Sequence, residues 1–116
     1  PRFGNSSILL VGSISATFTH VTTVGFKANG LPLMKNQNNT NSHYGAVTVF
    51  EGDSQVDYLR HVTAQLMVPA DGIQPRVYTV AVASSWNGAS YTVYVNDRNT
   101  SDMRSISNLT VYEIAN

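Results

Sequence analysis

The sequence predicts an all-β domain, an antiparallel jelly-roll-like sandwich, with an immunoglobulin-like sandwich as the alternative. Alternation is the first reason. Val77–Ala83 (VYTVAVA), Ser90–Val95 (SYTVYV) and Ser107–Ile114 (SNLTVYEI) interleave small polar residues with β-branched or aromatic ones, the period-two pattern of a half-buried strand. Turn chemistry is the second: clusters of Gly, Pro, Asn and Asp divide the chain into about eight strand-sized pieces at near-regular spacing. The third is an absence. No alternation of strand and helix patterns, and no repeat of about 20–50 residues, runs through the chain, which argues against parallel sheets, solenoids and propellers.

Taken in order, Ile8–Val11 and Ile14–His20 read as one or two strands, interrupted at Gly12, with Ile14, Ala16 and Phe18 on one face and Ser15, Thr17 and Thr19 on the other. Thr22–Phe26 continues the sheet. Asn29-Gly30-Leu31-Pro32 is a turn or loop, because Gly adopts positive φ freely and Pro interrupts a ladder. Residues 35–43 are the most polar stretch and read as an exposed loop between strands. Ala46–Phe50 resumes the pattern and stops at Glu51-Gly52-Asp53. Tyr58–Val68 is ambiguous. Leu59, Val62 and Leu66 fit a helical stripe, yet alternation and β-branched residues favour a strand. Pro69-Ala70-Asp71-Gly72 and Pro75 make the next turn. Asn87-Gly88 is a hairpin signal, since a type I′ turn needs positive φ at both central residues. It joins Val77–Ala83 to Ser90–Val95, and a polar connection, Asn96–Ile106, leads to the closing strand, which the pattern places buried within a sheet.

The 116 residues form one domain, 1–116, large enough to bury a core without metals or disulfides. The chain starts at Pro1-Arg2-Phe3 without an initiator Met or a signal-peptide pattern, and reads as a C-terminal fragment. Charged residues are 12% of the chain and the formal net charge is zero. That removes the electrostatic attraction behind non-specific nucleic-acid binding and leaves no polybasic membrane anchor. No apolar run approaches the ~20 residues of a membrane-spanning helix. Cysteine is absent, so packing or oligomerisation must supply what disulfides would.

Few residues combine into chemistry. His20, His43 and His61 are isolated, without a second ligand at metal spacing. Asp53 and Asp57 form a close acidic pair, read as a solvated loop. Asp97–Asp102 (DRNTSD) faintly resembles a calcium loop but lacks the sixth-position Gly and the distal Glu, so an Asx-rich turn is the reading. Sequons at Asn5, Asn38, Asn99 and Asn108 are expected by chance in a chain so rich in Asn, Ser and Thr. No metal, cofactor or catalytic constellation is indicated. The aromatic residues say more. Trp86 stands at the hairpin tip, and Tyr91 and Tyr94, three apart on one strand, face opposite sides. Exposed rings beside Asn, Asp and Arg suit carbohydrate, the ring stacking on the sugar's C–H face while polar side chains take its hydroxyls. Trp86, Asn87, Tyr91, Asp97, Arg98, Asn99 and Arg104 are therefore the candidate ligand contacts.

Tyr91–Ile114 (YTVYVNDRNTSDMRSISNLTVYEI) resembles the closing segment of tailed-bacteriophage tail-fibre, tailspike and tail-needle knob proteins, in which a Tyr-rich strand leads through a polar loop to a last strand ending Val-x-Glu-Ile. The resemblance covers the last third of the chain. It implies the tip domain of a longer fibrous protein at the virion tail, outside the cell, assembled as a homotrimer and presenting a surface to a host glycan or protein. Some such knobs resemble the tumour-necrosis-factor jelly roll, whose terminal strand lies near the threefold axis, which assigns Leu109, Val111 and Tyr112 to the trimer interface. The polysaccharide-cutting activity of some relatives belongs to an upstream β-helix and is not carried over, so no enzyme is expected. A monomeric carbohydrate-binding module of an extracellular enzyme is the competing function, and a trimerisation cap without ligand a third.

Overall fold

The computed structural model describes residues 1–17, 21–33, 48–51, 59–86, 89–96 and 105–116. Among them the chain is all strand and turn, without a helix. The strands are β1 (Ser7–Thr17), β2 (Val21–Ala28), β3 (Leu31–Pro32), β4 (Thr48–Glu51), β5 (Arg60–Pro69), β6 (Tyr78–Trp86), β7 (Ala89–Tyr91), β8 (Tyr94–Val95) and β9 (Asn108–Ile114). Every pairing is antiparallel, and the strands form two sheets packed as a sandwich.

In the first sheet β1 is central. β5 runs along one flank, and the other flank is shared end to end by β9, opposite Ser7–Ser13, and β8, opposite Ala16 and Thr17. In the second sheet β2 is central, with β6 along one flank and β4 and β3 along the other; β7 pairs only the last three residues of β6. Ile8, Leu10, Ile14 and Ala16 of β1 meet Val24 and Phe26 of β2 in a core joined by Ala64 and Ala70. Burying side chains such as Phe26, Leu10 and Val24 contributes about 1.5–3 kcal/mol each.

β1 passes straight through Gly12, where an interruption was expected. A Cβ at Gly12 would lie 3.1 Å from Phe26 Cε1 and 3.3 Å from Cζ. The glycine is therefore a packing device, giving the Phe26 ring room against the strand. β5 resolves the helix–strand ambiguity in favour of strand: His61, Thr63, Gln65 and Met67 are exposed while Ala64 is buried and Val62, Leu66 and Val68 are half-buried.

Two turns follow their residues closely. Asn29 (φ 51°) and Gly30 (φ 83°) form a two-residue hairpin of type I′ sense between Ala28 and Leu31. Asn29 also donates its N–H to Val77 O (2.8 Å) and accepts from Val77 N–H through Oδ1 (2.9 Å), fixing the chain entering β6. At Asp71 (φ 54°) and Gly72 (φ 104°) the chain reverses after β5. There Ala70 N–H donates to Ser6 O (2.9 Å) and Gly72 N–H to Gly4 O (3.0 Å).

Two expectations are corrected. Ser90–Val95 is not one strand: β7 lies in the second sheet and β8 in the first, the chain crossing between them at Thr92 and Val93. Tyr91 and Tyr94 thus belong to different sheets, and an argument from their spacing on a shared strand does not hold. Nor is β9 buried within a sheet. Among the described residues β1 is its sole strand partner, and of its seven residues Leu109 alone is half-buried, the rest being exposed.

Candidate functional site

Residues paired across antiparallel strands share a face. On the outer side of the first sheet the registers therefore stack the rows Ser7–Pro69–Ile114, Leu9–Met67–Tyr112, Val11–Gln65–Thr110, Ser13–Thr63–Asn108 and Ser15–His61. None of these residues is Asp, Glu, Lys or Arg. The chain as a whole is 12% charged, which would place about two charged residues among these fourteen positions. One end of the face is apolar, with Met67 56%, Tyr112 52% and Ile114 40% exposed; the other end bears hydroxyl, amide and imidazole groups.

On the polar end Ser13 Oγ and His61 Nε2 lie 2.5 Å apart. A nucleophile–base pair needs a third group to orient the base and donors for an oxyanion. The face has no carboxylate for the first role, and β1 is paired on both sides at Ser13, leaving no spare strand N–H for the second. Among the described residues the pair is a short diagonal contact between adjacent polar rows.

Beside it lies a hydroxyl network. Ser15 N–H donates to Ser107 Oγ (3.0 Å), Ser107 Oγ–H donates to Asn96 Oδ1 (2.5 Å), and the Ser15 and Ser105 hydroxyls lie 2.5 Å apart. Asn96, at φ 61°, donates its N–H to Ser15 O (2.7 Å) and accepts from Ser105 N–H (3.1 Å). Asn96 tolerates the left-handed conformation that this closure requires. The network clamps both ends of segment 97–104 to β1.

At the opposite end of β9 the Glu113 carboxylate accepts from Phe3 N–H and Arg2 N–H, both at 2.8 Å, and lies 2.7 Å from Ser6 Oγ. The Phe3 amide, the Ser6 hydroxyl and the Arg2 amide together hold its pKa at about 2, below the ordinary 4.5. Ser6 Oγ is also 2.8 Å from Phe3 O, so two acceptors compete for its single proton.

Where β6 and the β8–β9 flank face each other, the sandwich is open. Thr79, Val80 and Val82 on one lip, Val95, Ser107, Asn108 and Leu109 on the other, and Ile14 between them line a groove of about 490 Å³. Tyr78–Ala83 of β6 has no strand partner on this side among the described residues.

The residues singled out from sequence separate as follows. Trp86 ends β6, paired with Ala89 across a two-residue connection, and Tyr91 ends β7. Asn87, Asp97, Arg98, Asn99 and Arg104 lie outside the described residues, as do His20, His43, Asp53 and Asp57. Leu109 and Val111 face the inner side of the first sheet and Tyr112 the outer, so β9 carries apolar groups on both faces. Sequence reasoning missed the Leu9–Met67–Tyr112 row. Alternation assigns faces within a strand, but which strands lie side by side is a matter of register. No three His, Cys, Asp or Glu gather as a metal site among the described residues. No family model, no curated protein and no solved structure matches this chain.

Proposed function

We propose that the chain is a non-enzymatic tip domain of a tailed-bacteriophage tail fibre, tailspike or tail needle, working as a homotrimer that attaches the virion to a host-surface glycan or protein. The sandwich is then jelly-roll-like, with an immunoglobulin-like topology as the alternative. One observation carries the reading: β9 exposes Val111, Tyr112 and Ile114 at 44%, 52% and 40%. Apolar exposure clustered on one strand marks a surface that a partner completes, and Tyr91–Ile114 resembles fibre-tip sequences that trimerise. Trp86, Asn87, Tyr91, Asp97, Arg98, Asn99 and Arg104 are the proposed receptor contacts. The Ser15–Asn96–Ser105–Ser107 network supports this reading by fixing Asn96 and Ser105, the described residues on either side of 97–104, to β1.

Sedimentation equilibrium tests the assembly, which is predicted at three times the 12.6 kDa chain mass. A glycan array tests attachment: binding that Trp86→Ala abolishes without unfolding supports the assigned contacts, and unchanged binding rejects them. A second reading, a monomeric carbohydrate-binding module, draws on the uncharged outer face of the first sheet, where Tyr112 and neighbouring amides and hydroxyls suit a neutral saccharide. A monomer that binds glycans would favour it.

A further inference from the structure

Resting on the trimer reading, we infer that each copy packs the outer face of its first sheet against the open groove side of the next copy, with β9 as the ridge between the two contacts. The two surfaces share that strand. Thr110 and Tyr112 belong to the outer face, Asn108 belongs to that face and also reaches the groove lip, and Leu109 and Val111 lie on the other side of the strand, Leu109 in the groove lining. They are different surfaces, so a contact joining one to the other is heterologous and generates a ring if the rotation closes.

Charge favours a second copy as the occupant. The outer face carries no Asp, Glu, Lys or Arg, and neither do the groove-lining residues. Two uncharged surfaces meet without leaving an unpaired ion, and a chain of net charge zero does not repel its copies. Val95 on the groove lip is 47% exposed. The β6 edge of the groove, Tyr78–Ala83, holds neither Pro nor Lys, the residues with which monomers protect open edges.

Area decides between a pair and a ring. Three strands about 4.8 Å apart and nine residues at about 3.3 Å each give the outer face roughly 400 Å². Two such faces meeting about a twofold axis bury only the total typical of adventitious packing, about 800 Å² over both partners. A ring uses the face on one neighbour and the groove side on the other. Each copy then takes part in two contacts instead of one, so its total burial roughly doubles, to about 800 Å² summed over both neighbours.

The chain has no cysteine, which makes single-cysteine variants clean probes. Met67→Cys marks the outer face and Val111→Cys the groove side; both positions are exposed, and melting temperatures confirm that each variant folds. Treated with a short bismaleimide, a mixture of the two (one carrying a size tag) is predicted to give the cross-linked heterodimer, while each variant alone gives none. Cross-linking of Met67→Cys alone overturns the inference in favour of face-to-face pairing, and cross-linking of Val111→Cys alone in favour of groove-to-groove pairing. A trimer mass with no cross-link rejects this contact while leaving the trimer standing. A monomer mass rejects both.

Discussion

The Glu113 carboxylate accepts the backbone N–H of Phe3 at 2.8 Å, joining two residues 110 positions apart in the chain. Together with Arg2 and Ser6, this fastens the segment before β1 to the strand that β1 itself pairs. β9 is therefore held by side-chain chemistry as well as by its ladder.

This latch is pH-dependent. Folding lowers the Glu113 pKa from 4.5 to about 2, so its stabilisation is fully present above the unfolded value and is lost as pH falls through the folded one. Glu113→Gln is predicted to melt below the wild type at pH 7, with the gap closing between pH 4.5 and 2. Thermal melts across that window check it; a constant gap would contradict the assignment.

Gly12→Ala tests the contact between the sheets. The new methyl would sit 3.1 Å from Phe26 Cε1, and Phe26 is 1% exposed, with no room to retreat. A loss of about 1–3 kcal/mol is expected, less the few tenths that reduced chain entropy returns. Combining it with Phe26→Leu, which frees space beside the strand, should cost less than the two single losses added, as measured by urea denaturation.

Tyr78→Phe should run the other way. Tyr78 Oη is buried and has no hydrogen-bond partner among the described residues. Removing a buried unsatisfied hydroxyl relieves a desolvation cost of about 1–3 kcal/mol. The variant is predicted to equal or exceed the wild type in urea midpoint. A clear loss would mean that the hydroxyl is satisfied in solution.

Asn29→Ala removes the Oδ1 acceptor for Val77 N–H and places alanine at φ 51°. The lost hydrogen bond and the left-handed conformation together predict a cost of about 2 kcal/mol. Asn29→Gly relieves the strain but not the missing acceptor, and is expected to recover about half.

These elements differ in how far the sequence reveals them. Asn29-Gly30 was legible as a turn because Gly adopts positive φ freely, but the same reading put Leu31-Pro32 in the turn, and they pair with β2 as β3. β5 was legible once β-branched residues were weighed against a helical stripe. Gly12 was misread because its reason is the Phe26 ring, fourteen positions away in sequence and on the other sheet. The sheet change between Tyr91 and Tyr94 left no signal, since alternation persists through it. β9 was identified as a strand, but its position at an edge depends on which strand flanks it. The uncharged face formed by Leu9, Met67 and Tyr112 emerges only from the pairing of three strands distant in sequence. Of the candidate ligand residues, Asn87 and those in 97–104 lie outside the described residues.

The central claim is that this domain works as a ring of copies built on β9 and the outer face of the first sheet. Sedimentation equilibrium of the wild type beside Met67→Glu tests it most directly, because Met67 is 56% exposed and the new charge should affect assembly rather than folding. The wild type is predicted to sediment as a trimer and the variant as a folded 12.6 kDa monomer. A wild type that stays monomeric at micromolar concentration, or a variant that remains fully trimeric, would contradict it.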